Sequence, residues 1–393
     1  MSDAVSPSSS AAASRERWRL VRAHLNRNRF TLTRQVLDAL APERLAPGTP
    51  MLARPHWVPE APVPLERVRL RWRPDAAPAV IDGGERELDG TRALREDGTP
   101  YVYYADAVRE LAPPRLFEGR SCYRLLEVGT DRAEPVLTFG PGQYFDMINV
   151  GEAAAHEYAA AALAGGGTVD ERATPFRAAV ADPTDLARRP VMAATITLTI
   201  RHDRAAGTAE FLLHWRDPAK VASGGGLCQV IPAGMFQSSY DAPWNEAHDF
   251  DLWRAILREL SEELLGGSED YGSDLAPIDY QAWPLHQALG AAREQGTLRL
   301  YWLGVGMDPL TYAADLLTVA VFDAELFDET FRDLTAANEE GHRIGAGADS
   351  LGIPFTAEQI DRLTDASSAT DRMQPVGAAL LRLAWRHREA LLA

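Results

Sequence analysis

Three glutamates at helical spacing are the residues of this sequence best placed to do chemistry: Glu259, Glu262 and Glu263. At about 100° per residue, this spacing puts the three carboxylates within an arc of about 100° on one side of a helix. Carboxylates three and four residues apart repel one another, and the repulsion grows as water is excluded. A hard cation such as Mg²⁺ removes the repulsion and keeps water ligands that a substrate phosphate can replace. The spacing therefore predicts a divalent-metal site.

The residues around these glutamates predict the helix that positions them. Apolar side chains recur at helical spacing and form one stripe: Leu252, Trp253, Ile256, Leu257, Leu260 and Leu264. Either Asp249 or Asp251 can cap the start of the helix, and Gly266 with Gly267 can end it. Glu263 lies at the edge of the apolar stripe, so we expect its side chain to be partly buried.

Two short runs carry a family resemblance. Residues 258–263, Arg-Glu-Leu-Ser-Glu-Glu, resemble the second half of the Nudix box, the signature of hydrolases that act on nucleoside diphosphates linked to another group. Residues 231–234, Ile-Pro-Ala-Gly, resemble the strand end and glycine that open the same box. The resemblance implies an attack of water on a pyrophosphate that depends on Mg²⁺ or Mn²⁺. It implies four metal ligands: Glu259, Glu262, Glu263 and the carbonyl group of Gly234.

The resemblance also implies roles beside the metal. Glu262 and Glu263 are catalytic candidates, because one glutamate must orient or deprotonate the attacking water. Either Glu262 or a glutamate of a late loop is expected to be that base. Arg258 is expected to position the carboxylates through charge-assisted hydrogen bonds. Glu339 and Glu340 are the late-loop candidates by position, and a solvated loop is the competing interpretation.

Two features depart from the Nudix box. The segment from Gly234 to Arg258 is ten residues longer than in the family, and Phe250 occupies the place of the middle glutamate. The box also closes one residue late, at Gly266. Three carboxylates can substitute for the middle glutamate, and the sequence leaves these alternatives open: Glu246, Asp249 and Asp251.

The extra residues, which include Tyr240, Trp244 and Glu246, are expected to project from the mouth of the site, because a strand and a helix fix both flanks. In an enzyme such a loop acts as a lid that excludes water. In a sensor it would instead contact the N-terminal region and transmit occupancy. The altered box therefore keeps a second function open, a catalytically silent Nudix fold that senses a nucleotide-like ligand and regulates a partner.

Two basic residues before the box are candidate contacts for an anionic group of the substrate. Lys220 is the only lysine among 40 basic residues, and it follows Arg216 between a predicted strand and the opening loop of the box. A chance surface lysine is the competing interpretation.

Composition restricts the class of protein. The net charge of -16 argues against general affinity for nucleic acid, which requires a basic surface. Two cysteines provide neither a disulfide framework nor metal-ligand spacing, and no apolar run reaches membrane-spanning length. We therefore expect a cytoplasmic protein that binds no membrane. The abundance of Ala, Arg and Gly suggests a bacterial genome of high GC content. The resemblance to the Nudix box implies a nucleotide-like small molecule as the partner. A homodimer stays an open alternative.

The N-terminal segment is locally basic, with seven arginines between Arg15 and Arg34. One interpretation is a helix-turn-helix contact with DNA. The other is a helical pair docked on the rest of the protein, which we favour because no third helix follows, as most such DNA-binding units require.

The pattern along the chain predicts an α/β fold in four segments. They are a disordered tail (1–14), the helical pair (15–41), an N-terminal accessory α+β region (42–189) and a Nudix-like domain (190–393). In the accessory region, residues 139–145 predict a tight turn. In the last segment, alternating residues at 195–200 and 209–215 predict a hairpin, and strands at 298–305 and 316–322 follow the box helix. This order builds a mixed sheet with helices packed against it and is similar to the Nudix α/β/α sandwich.

Overall fold

The computed structural model describes residues 7–115, 117–131, 134–217, 225–332, 334, 341–344, 352–365 and 372–393. Within these ranges the chain is a mixed α/β protein, as the sequence predicts. The helices are α1 (Pro7–Ala39), α2 (Tyr104–Leu111), α3 (Tyr144–Met147), α4 (Ala153–Ala164), α5 (Pro175–Val180), α6 (Pro243–His248), α7 (Leu252–Leu265), α8 (Pro284–Gln295), α9 (Ala324–Thr330), α10 (Ala357–Thr364), α11 (Pro375–Arg386) and α12 (Arg388–Leu391). The strands are β1 (Val63–Pro64), β2 (Arg69–Trp72), β3 (Ser121–Asp131), β4 (Glu134–Gln143), β5 (Ala193–Asp203), β6 (Thr208–Phe211), β7 (Leu213–Arg216), β8 (Cys228–Val230), β9 (Ala233–Met235), β10 (Leu298–Met307), β11 (Ala314–Asp323), β12 (Gly341–Ile344) and β13 (Ile353–Pro354).

The largest sheet has seven strands in the order β1-β10-β11-β5-β6-β13, with β9 as a further partner of β5. β5 and β11 run parallel, and the other pairs of this sheet are antiparallel. β6 and β9 share one edge of β5, because β6 pairs with residues 200–203 and β9 with residues 194–196. The predicted hairpin is therefore present, but its second strand ends at Phe211. β7 then leaves for a separate three-stranded sheet with β8 and β12.

Helices cover both faces of the seven-stranded sheet. Side chains alternate along β11, so Leu316 and Ala320 enter the hydrophobic cluster that contains the apolar stripe of α7. Leu317 and Val319 enter the opposite cluster, which contains α11. β11 is buried along nearly its whole length, as expected for a strand that is covered on both faces.

The N-terminal region shares its core with the rest of the chain. β1 is an edge strand of the large sheet, where it pairs with β10. A third sheet, in the order β2-β4-β3, contributes Leu125 to the cluster that also contains Trp57 and Leu260 of α7. α1 packs against α4, as the docked interpretation of the basic segment predicts.

α1 corrects the prediction of a disordered tail for its described part, because the helix begins at Pro7. Alanine has the highest helix propensity, and Ala11 is buried, so packing as well as propensity stabilises this turn. The predicted pair of helices is one element with a break in helical geometry at Asn28 (φ -118°, ψ 15°). The side-chain amide of Asn28 donates to the carbonyl group of His24 at 2.9 Å beside this break.

The tight turn predicted at residues 139–145 is wrong. Residues 134–143 form β4, which pairs with β3 on one side and β2 on the other. The glycines of this stretch permit close approach rather than reversal. A Cβ atom at Gly142 would lie 2.8 Å from the sulfur of Met192, and one at Gly140 would lie 2.9 Å from the carbonyl oxygen of Arg73.

Within the described ranges, no helix combines the length and apolar character that crossing a bilayer requires.

Candidate functional site

The predicted box helix is α7, and both of its ends form as the sequence indicates. Asp251 is the N-cap, and its carboxylate accepts a hydrogen bond from the backbone N–H of Arg254 at 2.9 Å. Gly266 ends the helix in the left-handed conformation with φ of 67°. The predicted apolar stripe is buried, and Glu263 is 9% exposed, as its place at the edge of the stripe predicts.

Arg258 points into the protein, where it belongs to a buried network around Asp249. Oδ2 of Asp249 accepts hydrogen bonds from the backbone N–H and the hydroxyl group of Ser239, at 2.7 and 2.6 Å. Oδ1 accepts from the hydroxyl group of Tyr280 at 2.8 Å and lies 3.4 Å from Nη1 of Arg258. The guanidinium also donates to the hydroxyl group of Tyr280 at 2.6 Å and to the carbonyl group of Gln237 at 2.7 Å. The network joins α7 to the insert that precedes it.

This network distinguishes the three carboxylates that the sequence left open. Asp249 is fully buried and pairs with Arg258, Asp251 caps the helix, and Glu246 is exposed. Phe250, in the place of the middle glutamate, packs instead among aromatic rings, with its ring centroid 5.0 Å from that of Tyr123. The carboxylate beside Arg258 is therefore Asp249.

The two halves of the box meet at Gly234. A Cβ atom at this position would lie 1.9 Å from Oε1 of Glu259, so the carboxylate of α7 occupies the space beside the glycine of β9. The carbonyl group of Gly234 accepts a hydrogen bond from the hydroxyl group of Thr195 at 3.3 Å. Only glycine leaves room for this approach. Two of the four implied metal ligands, Glu259 and Gly234, are thus adjacent.

Glu262 lies in a half-buried environment that changes its acidity. Burial raises the pKa of Glu262 to about 7, and the nearby carboxylate of Glu269 acts in the same direction. The hydroxyl group of Tyr271, which donates to Oε1 of Glu262 at 2.7 Å, opposes this rise, as do Arg258 and Arg120. A carboxyl group of this pKa exchanges its proton near neutral pH.

The donor atoms of this region fit Mg²⁺ by type, since carboxylate and carbonyl oxygens are its preferred ligands. Nevertheless, in the part of the chain that the structure describes, no three His, Cys, Asp or Glu side chains are arranged as a metal-ligand group. A site built from all three glutamates stays a prediction.

A cavity of about 380 Å³ lies between the large sheet and the N-terminal region. Such a volume falls within the range of small-molecule sites. Its walls include α1, the π-helical turn at Ile148–Glu152, the strands β5, β9 and β11, and the start of α11. The lining residues from these places include Arg29, Thr33, Ile148, Glu152, Ala194, Ile196, Ala233, Gly234, Met235, Ala314, Asp315, Pro375 and Val376.

Of the predicted site residues, Gly234 and Arg216 line this cavity. None of the box glutamates is among its lining residues, and neither is Arg258. Two charged residues nevertheless connect the cavity to α7. Arg120 and Glu269 both line the cavity, lie 3.9 Å apart, and both affect the pKa of Glu262. Charged residues of the cavity wall therefore lie close enough to α7 to act on the carboxyl group of Glu262.

Of the remaining predicted site residues, only one lies in the part of the chain that the structure describes. Arg216 is half-buried in β7, where it pairs with Gly341 of β12. Lys220, Glu339 and Glu340 lie outside the described residues, so their predicted roles stay predictions.

The insert is anchored rather than free. Tyr240 and Trp244 are 50% and 44% exposed, as expected for projecting residues. Asn245, which follows Trp244, is fully buried, and its side-chain amide donates to the carbonyl group of Ser273 at 2.8 Å. No residue of the insert from Ser238 to Ala247 lines the cavity. The predicted lid therefore does not cover this cavity in the structure.

Comparison with known proteins adds no family to this geometry. Neither protein-family models nor curated proteins gave a match to the sequence.

Sequence reasoning missed the carboxylates of the cavity. Asp315 stands directly before the apolar run of β11 and is 7% exposed, and Asp308 lies in the preceding turn. An acidic residue at the start of a buried strand was the available signal, since such a residue is rarely buried without a partner. Arg29 and Glu152 carried no comparable signal, because they meet only through the docking of α1.

Proposed function

We propose that the chain is a Mg²⁺-dependent hydrolase of Nudix type that cleaves a pyrophosphate bond in a nucleoside diphosphate-linked substrate. One observation carries the proposal: Glu259 lies against Gly234 despite the extended insert between them. The insert could have separated the halves of the box, yet they meet. This contact supports the interpretation that the insert is a change in a loop around a Nudix-like α/β/α sandwich.

The oxygens of Glu259, Glu262 and Glu263, with the carbonyl group of Gly234, would hold the metal. Bound Mg²⁺ would neutralise charge on the pyrophosphate. Glu262 is the preferred base, because burial raises the pKa of its carboxyl group to about 7 in the protein without metal, which increases its basicity. The hydroxyl group of Tyr271 restricts its orientation. Arg258 acts indirectly, since its guanidinium is committed to the Asp249 network and fixes α7.

The cavity would provide space for the part of the substrate that lies beyond the pyrophosphate. Arg216 and Arg120 line it and can meet anionic or acceptor groups. A cytoplasmic location fits a nucleotide substrate, and both cysteines are free and buried.

A panel of nucleoside diphosphate compounds incubated with Mg²⁺ tests the proposal by release of phosphate or nucleotide. We expect turnover of at least one compound, with kcat of the Glu262→Gln variant lowered by about 10²-fold or more. Glu246→Gln is the matched control, because this exposed carboxylate should leave turnover unchanged. Turnover that survives Glu262→Gln would remove the role assigned to this residue.

A ligand sensor is the second candidate function, and the cavity favours it. The cavity is walled jointly by α1 and the sheet, and no box glutamate lines it. A ligand bound in the cavity would therefore contact the N-terminal region directly. Wild-type protein that hydrolyses no member of the panel, yet is thermally stabilised by one of them without metal, would select the sensor over the hydrolase.

A further inference from the structure

Asp315 contributes a buried carboxyl group to the cavity wall. Asp315 is 7% exposed, and its side chain accepts no hydrogen bond from any residue that the structure describes. Burial raises the pKa of Asp315 well above its ordinary value, and the carboxyl group of Asp308 raises it further. An unpartnered buried polar group destabilises the folded protein, and a ligand that donates a hydrogen bond to this carboxyl group would remove that cost.

The sheet leaves space above this carboxyl group. The neighbours of Asp315 across the sheet are Ala194 on β5 and Gly306 on β10. Ala194 also lines the cavity, and its small side chain does not screen Asp315 from it. Met235 follows Ala194 in the same row of the sheet and continues the wall. A group that enters the cavity can therefore reach the carboxyl oxygens.

Two charged groups of the same wall, Arg29 and Asp308, have hydrogen-bonding partners of their own. Arg29 donates to Glu152 at 2.7 Å, and Arg22 donates to the same carboxylate. Oδ1 of Asp308 accepts from the backbone N–H groups of Leu310 and Thr311, at 2.8 and 2.7 Å. Among the described residues, Asp308 is the charged group that acts on the pKa of Asp315, and it is negative. Arg29 lowers the pKa of Asp308, but among the described residues no cation contributes to the shift at Asp315.

We propose that the cavity binds a ligand through a positively charged nitrogen group, an ammonium, guanidinium or amidinium, which donates to Asp315. Such a group would lower the pKa of Asp315 again, so that the carboxyl proton is released to solvent and the carboxylate accepts charge-assisted hydrogen bonds from the ligand. The inference rests on the cavity alone and stands whether or not the chain hydrolyses a pyrophosphate.

Ligand-observed NMR on the full chain, without metal, tests the inference with two probes of nearly equal shape. The probes are n-butylguanidinium and its neutral isostere n-butylurea. We expect saturable binding of n-butylguanidinium to the wild type, at least about tenfold weaker binding to Asp315→Asn, and weaker binding of n-butylurea. Asp323→Asn is the matched control at the other end of β11, where the carboxylate pairs with Arg204, and it should bind the cation as the wild type does.

A second variant separates loss of binding from loss of fold. Ala194→Val keeps Asp315 but narrows the space above it, so it should also weaken binding of n-butylguanidinium while the thermal midpoint shows a folded protein. Three results would each overturn the inference: no saturable binding to the wild type, equal binding to Asp315→Asn, or n-butylurea bound as tightly as the cation.

Discussion

The carboxyl group of Glu262 holds its proton more firmly in the folded protein than in the unfolded chain, because burial raises its pKa to about 7 from 4.5. A raised carboxyl pKa stabilises the fold at low pH, and this stabilisation is lost as pH rises through 7. We expect the free energy of unfolding of the wild type to fall between pH 4.5 and 8 by on the order of 2 kcal/mol more than that of Glu262→Gln.

Urea unfolding of both proteins at pH 5 and pH 8, without divalent metal, measures this difference. Glu246→Gln provides the comparison, since its exposed carboxylate should not alter the pH dependence. Parallel pH profiles for the wild type and Glu262→Gln would contradict the burial of this charge.

Gly234 and Glu259 are predicted to be energetically coupled. A Cβ atom at Gly234 overlaps the Glu259 carboxylate, so Gly234→Ala must displace that side chain at a cost of about 1 kcal/mol or more. Glu259→Ala removes the obstacle, and Gly234→Ala should then cost less. A double-mutant cycle of unfolding free energies checks the coupling. Additive effects would mean that the two residues do not touch.

At the scale of elements, α7 depends on its connection to the insert. Arg258→Ala would leave Asp249 buried without its cation, and the loss of one partner of a buried ion pair costs about 3–5 kcal/mol. Arg86→Ala is the comparison, because this side chain is 90% exposed and its pairing with Glu87 should contribute less than about 1 kcal/mol. Denaturant unfolding distinguishes the two. A small effect of Arg258→Ala would show that Ser239 and Tyr280 satisfy Asp249 without it.

The elements with strong periodicity were predictable from sequence. α7, β10 and β11 form where their apolar patterns predict, with ends shifted by a few residues. β4 was not predictable, because its glycines at 140 and 142 are also typical of turns. They are explained only by the tertiary contacts that Gly140 makes with the carbonyl oxygen of Arg73 and Gly142 with the sulfur of Met192. The sequence also gives no local signal for the end of β6 at Phe211, after which the chain leaves the large sheet.

The candidate site was predictable where it depends on one helix. The spacing of Glu259 and Glu262 indicated a shared face, but the partner of Arg258 depended on tertiary burial and was left open. The cavity could not be predicted, because Arg29, Glu152 and Asp315 come from three distant parts of the chain and carry no common motif.

At the scale of the whole molecule, the shared core predicts one cooperative unit. Trp57 and Leu125 of the N-terminal region lie in the same hydrophobic cluster as Leu260 of α7. Scanning calorimetry should therefore show a single transition. Glu152→Gln leaves the buried guanidinium groups of Arg22 and Arg29 without their shared carboxylate, so it should lower the midpoint of that transition. Two resolved transitions would instead support an independently folding N-terminal region.

The parallel pairing of β5 with β11 also has a consequence for synthesis on the ribosome. Ala193 pairs with Ala314, so about 120 residues must be translated after β5 begins before its partner exists. At bacterial or eukaryotic elongation rates this delay is on the order of ten seconds. During that time the apolar strand has one edge open to other chains. Nascent β5 is therefore a segment that needs shielding by a chaperone until β11 has been translated.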